Sequence, residues 1–297
     1  MKTETAPELE QAEKKKHGFL RILAILLLLA LIAGAAVYIY SRHTQTHYRT
    51  TFYQETSRKV SGNIRIVVIS DIHNREYGEN NETLLSDISA LNPGLILFPG
   101  DMVIWDRDDY GPMLELVSAC SGIAPCYGVL GNHESERVYY MGDSDLPQKF
   151  ENAGLKLLRN AREEVRIGSN TVQLIGVEGT SYGFDAYGGR KFMNQTEIDP
   201  SEYCILMAHI PILFDKLSEY SFDLGIAGHV HGGIVNVPFL GGLYSAEEGF
   251  FPRYTVGKYT LENRQTLIIS AGLGDSSAFP PRINNMPELV VIDINRY

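Results

Sequence analysis

Residues 61–297 predict an α/β fold, on three observations. Short apolar runs at 64–69, 95–98 and 127–130 alternate with helix-forming stretches at 83–91 and 113–121, the pattern of strand–helix units in a parallel sheet. Apart from Arg65 the runs carry no charge, as in strands covered on both faces. Each run also delivers side chains able to hold a metal: Asp71-Ile72-His73, then Gly100-Asp101, then Gly131-Asn132-His133-Glu134. That is the carboxyl edge, where open α/β sheets build their sites.

Taken in order, the chain opens with a polar, charged segment at 1–18, read as a cytoplasmic tail. The segment 19–40 contains an uncharged run at 22–40, about the ~20 residues a membrane-spanning helix needs. Lys14, Lys15, Lys16 and Arg21 before the run, with Tyr38 and Tyr40 at its far end, place the N-terminus in the cytoplasm and the large domain outside. Ala33, Gly34, Ala35 and Ala36 also suit a signal peptidase, so cleavage of this helix stays open. Residues 41–60 are polar and read as a linker. Beyond the three strand–helix units, 155–158, 164–167 and 171–177 read as short turn-linked strands, and 178–200 as a loop rich in glycine and aromatics. A strand at 204–207 delivers His209, a helix near 212–218 follows, and a strand at 222–227 delivers Gly228-His229-Val230-His231-Gly232-Gly233. A second aromatic-rich loop at 234–258 precedes strands at 266–270 and 288–294.

The formal net charge of −10, with no long basic run in the large domain, excludes a nucleic-acid duplex as the main partner. Cys120, Cys126 and Cys204 lack the spacing of a zinc ribbon or a disulfide scaffold, although Cys120 and Cys126 could pair across a short loop outside the cell. Beyond residue 47 the histidines are His73, His133, His209, His229 and His231, each closing an apolar run beside Gly, Asp or Asn. In an extended segment, residues i and i+2 point to the same side, so Asp71 with His73, and His229 with His231, would each present a pair of donors. Carboxylate, imidazole and amide oxygen suit divalent ions such as Mn, with Fe or Zn as alternatives, and the lack of cysteine argues against closed structural zinc. Asp71, His73, Asp101, Asn132, His209, His229 and His231 are too many for one ion. They suit two ions about 3.5–4 Å apart that share a bridging carboxylate and clamp an in-line displacement at phosphorus.

The ordered set Asp71-x-His73, Gly100-Asp101, Gly131-Asn132-His133-Glu134, His209 and Gly228-His229-x-His231 resembles the calcineurin-like metallophosphoesterases. The run from Pro238-Phe239 through Gly241-Gly242-Leu243-Tyr244 to Gly249-Phe250-Phe251-Pro252, with Gly272-Leu273-Gly274 and Pro287-Glu288, is similar to the membrane-associated bacterial branch of phosphodiesterases and UDP-2,3-diacylglucosamine pyrophosphatase-like enzymes. The resemblance spans 63–294 and implies a four-layer αββα sandwich of two mixed sheets, behind an N-terminal transmembrane helix. It further implies one metal on Asp71, His73 and His231, another on Asn132, His209 and His229, and Asp101 bridging the two. Asp101 and His133 are then the catalytic residues, with His133 as general acid to the leaving oxygen. Three positions depart from the pattern: Ile104 stands where many members carry an Asp that orients the catalytic imidazole, leaving Asp106 as a substitute, Glu134 stands where Asp is commoner at a position that is not a usual ligand, and Ala271 stands where an Arg is common, leaving Arg282 as a phosphate contact.

The function expected is hydrolysis of a phosphodiester, pyrophosphate or phosphomonoester by metal-bridged hydroxide, on a lipid-linked or cell-envelope substrate, by a single-pass protein of the cell membrane. Asn132, His133, Arg282 and Trp105 are the expected substrate contacts, and Tyr139, Tyr140, Tyr182, Phe184, Tyr187, Phe250 and Phe251 are candidates for an aromatic wall. Two other readings compete: a non-catalytic surface module that keeps its metals for stability, and a nucleotide hydrolase facing the cytoplasm.

Overall fold

A computed structural model of the chain describes residues 6–179, 184–245, 247–275 and 282–297, with 6–13 and 42–45 described by backbone alone. It divides into two units, Met1–His43 and Thr44–Tyr297. The first is made by helix α1 (Ala6–Gln45), which extends into the segment read as a tail. Its stretch Lys14–Ser41 is long and apolar enough to cross a membrane, and its leucines and isoleucines lie exposed.

The second unit is built on two six-stranded sheets. Strands β1 (Arg49–Ser57), β2 (Ile64–Val68), β3 (Leu95–Phe98), β4 (Cys126–Gly128) and β5 (Leu155–Leu157) belong to one of them. Strands β6 (Ala161–Ile167), β7 (Asn170–Gly176), β8 (Tyr203–Met207) and β9 (Leu224–Ala227) belong to the other. Between β9 and the C-terminal strands lie two small antiparallel pairs: β10 (Asn236–Val237) with β11 (Gly241–Gly242), and β12 (Tyr244–Ser245) with β13 (Gly249–Phe250). Strands β14 (Gly257–Thr260), β15 (Thr266–Ile269) and β16 (Glu288–Arg296) complete the set. The first sheet runs β1-β16-β2-β3-β4-β5, parallel from β2 to β5, and the second runs β14-β15-β9-β8-β7-β6, parallel from β15 to β7.

Alternate faces of these strands fill separate cores, which makes the four layers expected. Ile64, Ile66, Val68, Leu95 and Leu97 meet Val172, Leu174, Ile205, Met207 and Ile226 between the sheets. On the outer face of the first sheet, Val67, Ile96 and Phe98 pack against helices α2 (Glu82–Leu91) and α3 (Gly111–Ser121) through Leu84, Ile88, Leu116 and Val117. The outer face of the second sheet is covered through Leu213, Phe214 and Leu217, in and beside the short helix α7 (Phe214–Leu217). Helices α4 (Asn132–Tyr140), α5 (Leu146–Asn152) and α6 (Gly189–Gln195) complete the helical set.

Strand β1 lies inside the stretch 41–60 that reads as a linker. It pairs in parallel with β16 from Arg49↔Glu288 to Ser57↔Arg296. An edge strand keeps one side in solvent, so its polar composition hides it. Since β16 runs antiparallel to β2, with Val290 opposite Val68, the chain enters β1 at the same edge of the sheet to which β2 delivers Asp71. The cysteine pairing that the sequence leaves open does not occur: Cys120 in α3 and Cys126 in β4 are buried, free thiols, as is Cys204.

Candidate metal centre

Every candidate ligand sits at or just beyond the carboxyl end of a central strand: Asp71 and His73 after β2, Asp101 after β3, Asn132 after β4, His209 after β8, and His229 and His231 after β9. The i, i+2 expectation rests on extended backbone, and the structure departs from it. Neither pair is extended: Asp71, His73, Asp101, His229 and His231 have φ of 48°, 50°, 53°, 70° and 45°, in the left-handed region that side chains other than glycine rarely adopt. Each chain reversal is made within single residues, which swings successive side chains over the sheet edge. Two glycines give these turns room. A Cβ on Gly131 would collide with the Asp101 carboxylate, and one on Gly228 with Ser70 Oγ and the Asp71 carboxylate.

The carboxylates are held by the backbone of neighbouring turns. Asp71 Oδ1 accepts the His229 N–H at 2.8 Å, and Ser70 Oγ donates to Asp71 Oδ2. Asp101 Oδ1 accepts the His133 N–H at 3.0 Å, which turns Oδ2 towards three imidazoles: His209 Nε2 at 3.1 Å, His73 Nε2 at 3.7 Å and His133 Nε2 at 3.8 Å. Asn132 Oδ1 lies 3.1 Å from His209 Nε2 and 2.8 Å from His229 Nδ1, while His231 Nε2 lies 3.9 Å from Asp71 Oδ1. Three donor groups emerge within metal-ligating distance of one another: Asp71 with His73 and His231, Asp101 with His209 and His229, and His73 with Asp101 and His133.

The donor set fits divalent ions on a further ground. Both ring nitrogens of His73 and Nε2 of His229 are buried with no hydrogen-bond partner, a state that costs free energy unless another group takes the lone pair. Burial lowers the pKa of His73 to about 3, and burial with the nearby Arg282 guanidinium holds His231 well below its usual range, so both rings are neutral and free to ligate. His209 behaves differently. Burial pulls it down, but the Asp101 and Asp71 carboxylates overcome this and lift it to about 10. Its proton is the counter-charge of the buried Asp101 carboxylate, the place a metal cation would take.

Some sequence expectations give way. Asp106 is exposed and does not orient His133; the backbone N–H of Trp105 donates to His133 Nδ1 at 3.0 Å instead. Arg282 is buried, donating to the carbonyls of Gly272 and Gly274 and, at 2.9 Å, to His231 Nδ1. It braces a candidate ligand, where the expectation made it a substrate contact. Phe184 is fully buried in the core and forms no aromatic wall, and Tyr182 lies outside the described residues. Trp105 does share a cavity of about 350 Å³ with Asn132, His133 and Glu136. Glu134 is the residue whose importance the sequence hides. Its carboxylate accepts the N–H groups of Asp101 at 2.9 Å, Val103 at 2.9 Å and Gly131 at 2.8 Å, tying together the turns that carry Asp101 and Asn132.

Two facing mixed sheets with a carboxylate-centred cluster of imidazoles at one edge define a divalent-metal hydrolase site for phosphate esters. Residues 64–233 match the calcineurin-like phosphoesterase family, and the chain belongs to it as a metal-dependent phosphoesterase. The chain is 23% identical over 260 residues to phosphodiesterase YaeI of Escherichia coli (strain K12), covering 83% of this chain and 86% of that one. With the metallophosphoesterase YkuE of Bacillus subtilis (strain 168) it shares 26% identity over 278 residues, 89% of this chain and 92% of the other. With the UDP-2,3-diacylglucosamine pyrophosphatase LpxG of Chlamydia trachomatis it shares 24% identity over 217 residues, 59% of this chain and 66% of that protein.

Proposed function

We propose that the chain is a membrane-anchored phosphodiesterase or pyrophosphatase that works with two divalent ions, manganese first among them, on a substrate whose phosphate is carried by a lipid. The observation that carries this is Asp101 Oδ2 facing three imidazoles, beside the partnerless nitrogens of His73 and His229. Asp71, His73 and His231 would hold one ion, Asn132, His209 and His229 the other, with Asp101 between them. Such ions supply Lewis acidity and a nucleophile from water at neutral pH. The apolar helix and the similarity to a pyrophosphatase of a diacylated sugar nucleotide support the lipid substrate. The lysines and Arg21 before the apolar run support an extracytoplasmic catalytic domain.

His133 takes a narrower role than general acid. Because an N–H can only donate, the Trp105 N–H fixes Nδ1 as acceptor and leaves the ring hydrogen on Nε2, the nitrogen facing Asp101 and the cavity mouth. His133 therefore stabilises charge on a phosphoryl or leaving oxygen by a hydrogen bond from Nε2, an effect worth about 10²–10³ in kcat. His133→Ala should lose turnover by that factor on both bis-p-nitrophenyl phosphate and a vesicle-borne lipid pyrophosphate, while its manganese content stays at the parent level. Unchanged turnover would remove His133 from the chemistry, a parent protein that holds manganese without turnover would leave a non-catalytic metal module, and hydrolysis of the soluble diester alone would remove the lipid substrate.

A further inference from the structure

Exposed apolar side chains gather on the loops that leave the metal centre. From His231 the chain passes through Gly232 and Gly233 into the β10–β11 and β12–β13 hairpins. Leu243 joins them: its N–H bonds to the Gly233 and Val235 carbonyls, and its carbonyl accepts the Phe251 N–H at 2.8 Å. Phe239 is fully exposed, and Leu240, Phe250 and Phe251 expose 70%, 71% and 67% of their surface. Phe239 and Phe251 also have φ of 69° and 56°, a conformation bulky residues rarely take. A carboxylate oxygen of Glu247, on the second hairpin, lies 3.4 Å from His229 Nε2 without forming a hydrogen bond to it, so these loops belong to the site edge. Leucine and phenylalanine held out into water in this number mark a contact surface.

The entry point of the chain says what that surface meets. The hairpin base is bonded to the strand leading into β16: Val235 bridges Ile283, and Pro287 then accepts the N–H of Arg49, the first residue of β1. Just before it, Tyr48 is pinned by edge-on stacking against Tyr77 and by a 2.6 Å hydrogen bond to Asp87. The apolar stretch ends at Ser41 and helix α1 at Gln45, leaving Thr46 and His47 between the helix and this anchor. The chain thus enters the catalytic unit at the same edge that carries the metal centre and the exposed hairpins.

We propose that this edge rests on a lipid bilayer, with Phe239, Leu240, Phe250 and Phe251 in the lipid interface, so that the metal centre takes phosphate groups directly from the membrane surface. Aromatic and leucine side chains at the headgroup level are the usual means of such interfacial seating. The proposal rests on the membrane-anchored reading above and adds the orientation.

The test uses the full chain reconstituted into phosphatidylcholine vesicles. Its native thiols are buried, so single exposed cysteines take an environment-sensitive fluorophore selectively. Leu240→Cys and Phe250→Cys report the hairpins, and Asn63→Cys, exposed beside the opposite end of β2, is the control. Labels at 240 and 250 should shift to the blue and be quenched by spin-labelled lipids, while the label at 63 is quenched only by aqueous iodide. Retained manganese content checks that each labelled protein is folded. Flotation with vesicles after an alkaline wash reports the anchor separately. Protein that floats while labels at 240 and 250 behave like the one at 63 overturns the proposal and keeps the anchor. Protein that does not float overturns both.

Discussion

Glu134 offers the sharpest test of how the centre is held. Its Oε2 accepts the N–H groups of Asp101 and Gly131, and its Oε1 accepts that of Val103. Glu134→Gln keeps one oxygen for Asp101 and Gly131 but turns an amide N–H₂ towards the Val103 N–H, leaving one buried donor unpaired. Such a group costs about 1–3 kcal/mol, and near the middle of that range a domain of this size loses about 4–8 °C in melting temperature. Glu134→Ala orphans all three donors and should fall further. Because the same carboxylate sets the turns of Asp101 and Asn132, manganese affinity should drop about 10–100-fold in the Gln variant, the usual cost of losing a group behind the ligands. Thermal unfolding by circular dichroism and titration calorimetry with manganese read the two effects on detergent-solubilised protein. A Gln variant that melts and binds like the parent would refute this account of the centre.

Two further predictions concern the same edge. Arg282→Lys keeps the charge but loses the fork that reaches Gly272, Gly274 and His231 together, so it should cost about 1–3 kcal/mol and weaken manganese binding; equal affinity by calorimetry would return Arg282 to a packing role. With His209 raised to about 10, the metal-free centre carries a proton at every pH from 6 to 9 that a cation must displace. The logarithm of the manganese binding constant should therefore rise by about one per pH unit across that window, with matching proton release in weakly buffered solution. Binding that is flat in pH without proton release contradicts a protonated His209.

Much of this was legible in the residues. Strands such as Leu95–Phe98 and Tyr203–Met207 are buried along their whole length, so an unbroken apolar run identifies them, and the Asp, Asn or His that follows sits at the carboxyl edge by the geometry of a parallel sheet. Elements without an apolar period were missed. Helix α4 reads Asn-His-Glu-Ser-Glu-Arg-Val-Tyr-Tyr and buries His133, Glu134 and Arg137, polar side chains whose partners lie on other segments. The sequence names Glu134 and Arg282 but hides their bracing roles for the same reason. Their value lies in backbone groups up to tens of residues away, which no local spacing encodes.

The left-handed turns explain why such distant braces are needed. Asp71, His73, Asp101, His229 and His231 each hold a backbone conformation that costs of order 1 kcal/mol or more outside glycine, so these turns would relax if only the metals held them. Instead, the Asp71 carboxylate grips the His229 N–H, the Asp101 carboxylate grips the His133 N–H, Glu134 grips Asp101 and Gly131, and Arg282 grips the carbonyls around Gly272. Donors from both sheets are locked to one another by protein hydrogen bonds before any cation arrives. Strain at the strand ends is thus stored in the fold rather than drawn from metal binding, which leaves the affinity of the ions for holding substrate.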